Sequence, residues 1–265
     1  MRTVRLPAAL VALLLLAALA AGCVRVVLPR VDDGDAWWDD PGADATAGGG
    51  SVPADGVREI RIDWVAGAVD VRTGDGEELV IAETADGALR ADEQLRFTVE
   101  DGVLHVVYCR PGLHTMRQGG KTLSVTVPAA LSGALNALAV HTVSAAARVD
   151  GLSGGALTWE TVSGQLSQTG GRFARVEAQS VSSAVWLAPT ALPEEVSCAA
   201  VSGNLVLTLP GGDAGFALEL QSVSGGLDCA VPVTVQGKRY VYGDGACRID
   251  CNMVSGGVEV RLPDA

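Results

Sequence analysis

His141, Glu160 and Gln179 stand 19 residues apart in a chain of 265. An imidazole beside a carboxylate is a simple proton-exchanging pair, and a shared spacing is what would bring these three side chains together. Elsewhere the sequence offers little chemistry. His105, His114 and His141 are the three histidines and show no metal-ligand spacing. There is no Cys-x-x-Cys pair, and Cys247 with Cys251 does not make a zinc site, so no metal or cofactor is expected. Gly151-Leu152-Ser153-Gly154-Gly155 has the letters of a nucleophile elbow, which requires a strand-to-helix turn with a partner histidine and acid. Here the letters fall in a glycine-rich return between strands. Gly119-Gly120-Lys121-Thr122 lacks the earlier glycine of a phosphate loop, where Thr115 stands instead. Trp186 could stack on a sugar ring, and Lys238-Arg239 forms a small basic knob on an acidic chain. The candidate ligand surface is therefore His141, Glu160, Gln179 and Trp186, and the candidate partner contact is Lys238 with Arg239. No catalytic residue is assigned.

Those residues are aligned by a repeat. The phrase Val-Ser-Gly, or a close variant, returns at Val143, Val162, Val181, Val201, Val223 and Val254, at intervals of 19, 19, 20, 22 and 31 residues. Self-similarity near 20 residues means stacked units. Counting each valine as position 0, position −5 holds Leu138, Leu157, Val176, Val196, Leu218 and Ile249, and position −3 holds Val140, Trp159, Ala178, Cys198, Leu220 and Cys251. The residues between are mostly polar, which is the period-2 alternation of a strand with one buried face. His141, Glu160 and Gln179 all occupy position −2. Alternation resumes after the corner, with Ala147, Leu166, Val185, Leu205, Leu227 and Val258 at +4. Two short strands for every 20 or so residues predict an all-β chain, a β-solenoid of about six to seven stacked two-strand coils. The corner glycine is expected to supply φ > 0. The recurrent serines at +1 are expected to bond neighbouring backbone.

Residues 1–22 read as an export signal: Arg2 and Arg5, an apolar stretch from Leu6 to Ala21, then small residues. Leu19-Ala20-Ala21-Gly22-Cys23 resembles a bacterial lipoprotein signal, which implies lipidation of Cys23 and a membrane anchor. Ordinary cleavage after Gly22 and an uncleaved anchor stay open as alternatives. Residues 23–55, rich in aspartate and ending in Gly48-Gly49-Gly50-Ser51, read as a tether carrying Trp37-Trp38. Residues 56–130 read as a sheet-like N-terminal cap. It contains a degenerate first copy of the repeat (Ile60, Ile62, Trp64, Val69, Val71) and a hairpin turn at Asp101-Gly102. Residues 131–265 read as the repeats, with a hairpin insertion at 231–246 and the last coil, Ile249 to Leu262, at the end of the stack.

The serial Val-Ser-Gly phrases, the first Ile60-Arg61-Ile62-Asp63 strand and Val125-Thr126-Val127-Pro128 together resemble the bacterial putative-adhesin β-strand-repeat domains of unknown function, over about residues 56–262. That resemblance implies an extracytoplasmic repeat domain in the bacterial cell envelope and brings no catalytic residues with it. The net charge of 19 − 31 = −12 argues against nucleic acid and anionic lipid as ligands. Of six cysteines, five remain if Cys23 is lipidated, so one thiol stays unpaired. Cys229 and Cys247 bracket the insertion, and a disulfide between them would pin its base. Cys251 is the rival partner, while Cys198 reads as a small buried hydrophobe. The reading is a membrane-tethered, adhesin-like binding or scaffold protein without catalysis, whose partner is a surface glycan or protein. The alternatives are an accessory module of envelope-stress sensing and a carbohydrate-active enzyme using Glu160.

Overall fold

The structure is a computed structural model that describes residues 42, 44–110, 120–212 and 215–263. The expected export signal, Cys23, Trp37-Trp38 and His114 lie outside the described residues. The described chain is all-β, with nineteen strands in one mixed, unclosed sheet. In order these are β1 (Thr46–Ala47), β2 (Gly50–Pro53), β3 (Glu59–Trp64), β4 (Gly67–Gly74), β5 (Glu78–Ala85), β6 (Arg96–Glu100), β7 (Val103–Val107) and β8 (Lys121–Pro128). There follow β9 (Ala137–Thr142), β10 (Ala146–Asp150), β11 (Gly154–Thr169), β12 (Phe173–Ala188), β13 (Glu195–Thr208), β14 (Phe216–Ser224) and β15 (Leu227–Cys229). The last four are β16 (Thr234–Gln236), β17 (Arg239–Tyr242), β18 (Cys247–Ser255) and β19 (Val258–Arg261).

Parallel pairing in register follows the repeat. One row across neighbouring strands runs Leu104, Ile60, Leu138, Leu157, Val176, Val196, Ile249 and Leu218. Beyond the corner a second row runs Leu123, Val69, Ala147, Leu166, Val185, Leu205, Val258 and Leu227. Both rows feed one hydrophobic cluster. Each side chain fully buried there contributes about 1.5–3 kcal/mol. A one-residue slip would turn every one of them outward, which is why the register is so well specified.

The corner works differently from the expectation. Thr161 and Leu166 are buried, whereas Val162 and Ser163 between them are both exposed. Two successive outward residues break the alternation, and the strand turns there. The repeated valine is thus a corner residue and does not form the core; Val223 is 68% exposed. Glycine at +2 has φ > 0 at Gly225 (149°) and Gly256 (129°), as expected, whereas at Gly164 and Gly203 it is required by close approach. A Cβ there would overlap the carbonyl oxygen of Ala145 or Ser183 in the adjacent repeat. Ser144 Oγ does donate to the Val65 carbonyl (3.4 Å), but Ser163, Ser182, Ser202, Ser224 and Ser255 are exposed.

Stacking order departs from chain order at both ends. The first repeat, β3 and β4, lies between β7/β8 and β9/β10. The last repeat, β18 and β19, slides between β13 and the β14/β15 pair and does not end the stack. Of the outermost parallel strands, β7, β8 and β14 are then covered by antiparallel ones. Strand β6 pairs with β7, β5 with β8, and β17 with β14. Covering these edges removes a template for pairing with other chains. The β6–β7 hairpin turns at Asp101 (φ 50°) and Gly102 (φ 79°), where both residues are left-handed as a tight two-residue hairpin requires. Hairpin β16–β17 turns at Gly237 and Lys238. Part of the presumed tether also forms strands, since β1 pairs with β6 and β2 with β5. Its glycines serve close packing: a Cβ on Gly49 would lie 2.8 Å from the Ile81 carbonyl oxygen, and one on Gly50 3.0 Å from the Phe97 ring.

Candidate functional site

Asp63 is the centre of a polar cluster that joins three strands. It occupies the outward −2 position of β3, yet it is fully buried. The neighbouring strands cover it. His105 Nε2 from β7 approaches Asp63 Oδ2 at 2.6 Å, and His141 Nδ1 from β9 approaches Oδ1 at 2.7 Å. Arg61 Nε lies 3.2 Å from Oδ2. Burial pushes the Asp63 carboxyl upward, but the hydrogen bonds from His105 and His141, together with the Arg61 charge, outweigh it and bring the pKa down to about 2. An ionised carboxylate can only accept, so both imidazoles donate. Asp63 therefore fixes the orientation of two rings on different strands and leaves His105 Nδ1 and His141 Nε2 for other partners.

Glu160 stands beside His141 in register on β11, and Gln179 follows on β12. The structure therefore does place His141, Glu160 and Gln179 in one row. Burial raises the Glu160 carboxyl above its ordinary value, and the Glu177 and Asp63 charges reinforce this while the His141 charge opposes it. Gln179 Nε2 donates to Glu177 Oε1 (2.8 Å), so it is engaged along its own strand. Trp186 is half-buried and lies beyond the corner of β12, between Ser167 and Val206. It belongs to the other half of the repeat and does not share a row with His141 and Glu160. Lys238 is exposed at the hairpin tip and lines a groove of about 400 Å³ with Glu219, Leu220, Gln221, Ser222, Val223 and Tyr240. Arg239 faces Glu219 at 3.8 Å.

Two elements escaped the sequence reading. Asp63 sits at −2 of the degenerate repeat, in phase with His141, so the alignment already contained it. His105 was hidden because β7 carries no Val-Ser-Gly corner. Its Leu104 and Val106 nevertheless alternate in phase with Ile60 and Ile62. Lys121 belongs to a second cluster, and it is fully buried. Its Nζ pairs with Glu83 Oε2 (2.9 Å), donates to the carbonyls of Glu93 and Tyr108, and lies over the Tyr108 ring at 4.2 Å. Burial lowers the Lys121 pKa, against the pull of Glu83. Ser153, of the elbow-like phrase, lies in a return loop, where its Oγ accepts from the Arg172 N–H (3.0 Å).

Among the described cysteines, Cys109, Cys198, Cys229, Cys247 and Cys251 are thiols. The expected partners Cys229 and Cys247 do not share a register position, since Cys229 lies opposite Val260 and Cys247 opposite Phe216. The thiol pair that the register brings together is Cys198 with Cys251. Burial pushes the Cys247 thiol up to about 12.

No family model matches this chain, and no curated protein sequence matches it. Three solved structures are similar in outline. A putative cell adhesion protein from Clostridium sporogenes has TM-score 0.38 and 12% identity, over 83% of this chain and 100% of its own. A putative adhesin from Parabacteroides distasonis has TM-score 0.33 and 12% identity, over 82% and 98%. A putative adhesin from Bacteroides fragilis has TM-score 0.34 and 12% identity, over 84% and 100%. Likenesses at this level leave function to be argued from the residues of this chain.

Proposed function

We propose that the chain is an adhesin-like binding or scaffold protein of the bacterial cell envelope, exported, tethered to the membrane through lipidated Cys23, and without catalysis. In this reading the parallel repeats form a β-solenoid whose outer walls present ligand-facing rows. The observation that carries the reading is the register of the row that holds Trp186, in which Val206 is buried and the other four side chains are partly or fully exposed. Arg148, Ser167, Trp186, Val206 and Glu259 occupy consecutive strands side by side. Trp186 therefore stands in the middle of a row eight strands wide, about 34 Å at about 4.8 Å per strand. An aromatic face on a rigid, periodic wall suits a sugar ring or a flat protein epitope. The Asp63 cluster stiffens the companion wall, since one carboxylate joins strands β7, β3 and β9.

The test is an array of glycans and envelope proteins probed with the full chain and with Trp186→Ala. Saturable binding that falls at least about tenfold in Trp186→Ala supports the reading, tenfold being about 1.4 kcal/mol. Chemical turnover of any bound glycan, or no binding to any arrayed component, overturns it.

A further inference from the structure

Cys198 and Cys251 stand directly opposite each other on β13 and β18. Both are at position −3, both face inward, and they are 3% and 1% exposed. Neighbouring strands about 4.8 Å apart hold their Cα atoms within the span of a disulfide, about 4.4–6.8 Å. The position tolerates small side chains, because Ala178 occupies it on β12. No other pair of described cysteines shares a register position.

We propose that Cys198 and Cys251 are a disulfide-forming site, oxidised while the chain folds, and that the bond fixes the last repeat in its inserted place. The observation is independent of the adhesin reading. Its consequence follows from the threading. Strand β18 enters between β13 and β14, although β14, β15 and the β16–β17 hairpin precede it in the chain. A bond from Cys198 to Cys251 would enclose that whole terminal layer and its covering hairpin in one covalent loop. The last repeat could then leave only by breaking the bond.

The oxidant is a small or protein-borne disulfide. One thiolate attacks a sulfur of that disulfide, and a mixed disulfide forms as the oxidant releases one thiolate. The second protein thiolate attacks the mixed bond, the Cys198–Cys251 bond forms, and the oxidant's other sulfur leaves. The two cysteines lose two electrons and two protons, and the oxidant gains them as two thiols. Once the core has closed, the neighbouring Cys198 thiol and burial hold the Cys251 thiol well above its ordinary pKa. Exchange therefore belongs to the stage before the last repeat is buried.

The experiment refolds the full chain with oxidised and reduced glutathione, traps remaining thiols with N-ethylmaleimide in denaturant, and maps the peptides by mass. The expected result is a linked peptide pair containing Cys198 and Cys251, 2 Da lighter than the two thiol peptides together. Reduction should lower the Tm by on the order of 10 °C. That shift should vanish in Cys198→Ala and in Cys251→Ala and survive in Cys229→Ser. Alkylation of both Cys198 and Cys251 after oxidative refolding, or a dominant Cys229–Cys247 link, would overturn the proposal. Peptide mapping needs only the wild-type chain, so a variant that fails to fold leaves the test intact.

Discussion

Replacing Asp63 by asparagine keeps the shape of the side chain and removes its charge. The wild-type carboxyl titrates at about 2 in the folded chain against 3.8 ordinarily. That gap, at about 1.4 kcal/mol per pH unit, corresponds to about 2 kcal/mol of stabilisation. The sign follows from the direction. A depressed carboxyl stabilises the folded state above its unfolded pKa, and the contribution fades as pH falls through the folded value. Urea unfolding of both proteins should therefore show a wild-type advantage that is nearly level between pH about 4 and about 5, below the range in which histidines titrate. It should shrink by about 2 kcal/mol on acidification to below pH about 2. All other carboxylates titrate in both proteins and largely cancel in the difference. An advantage that stays flat across this range, or grows on acidification, would refute the account of Asp63 as an ionised clamp on His105 and His141.

Lys121→Met should destabilise by about 3–5 kcal/mol, because it strands the buried Glu83 carboxylate. Adding Glu83→Gln should restore much of that loss in thermal or urea melts, and a purely additive double variant would exclude the ion pair as the cause. Gly203→Ala should cost about 1–3 kcal/mol through overlap with the Ser183 carbonyl, whereas Gly211→Ala, which meets nothing within 4 Å, should be near neutral. Equal effects at the two sites would sink the close-approach argument. Removing Pro232 to Ala246 uncovers the β14 edge from Phe216 to Glu219. Light scattering should then show more self-association than in the wild type, and an unchanged distribution would mean that the hairpin does not guard that edge.

Alternation was legible because each wall has one wet and one dry face, so Leu157 and Trp159 declare themselves against Thr158 and Glu160. The His141, Glu160 and Gln179 row followed from the same count. The order of stacking was not legible. Rows such as Leu138, Leu157, Val176 and Val196 are chemically alike, and any repeat can lie on any other without violating the pattern. What decides the order is connection length. The long insertion after Cys229 lets the chain run out to the hairpin and come back to a place one layer in. The Asp63 cluster was half legible for a related reason. Its histidines come from strands far apart in sequence, and one of them belongs to no recognisable copy of the phrase. The reason given for the corner glycines holds at two of them, since Gly225 (φ 149°) and Gly256 (φ 129°) have positive φ, whereas crowding by the neighbouring layer selects glycine at Gly164 and Gly203.

The inward placement of the last repeat also bears on how the protein meets mechanical load. Strand β18 is bonded along both edges, to β13 and to β14, and β19 likewise to β13 and β15. An outermost strand under tension unzips one rung at a time from a single neighbour. A strand gripped from two sides gives way only when both seams tear, so traction on the carboxyl end meets the stack at one of its stronger points.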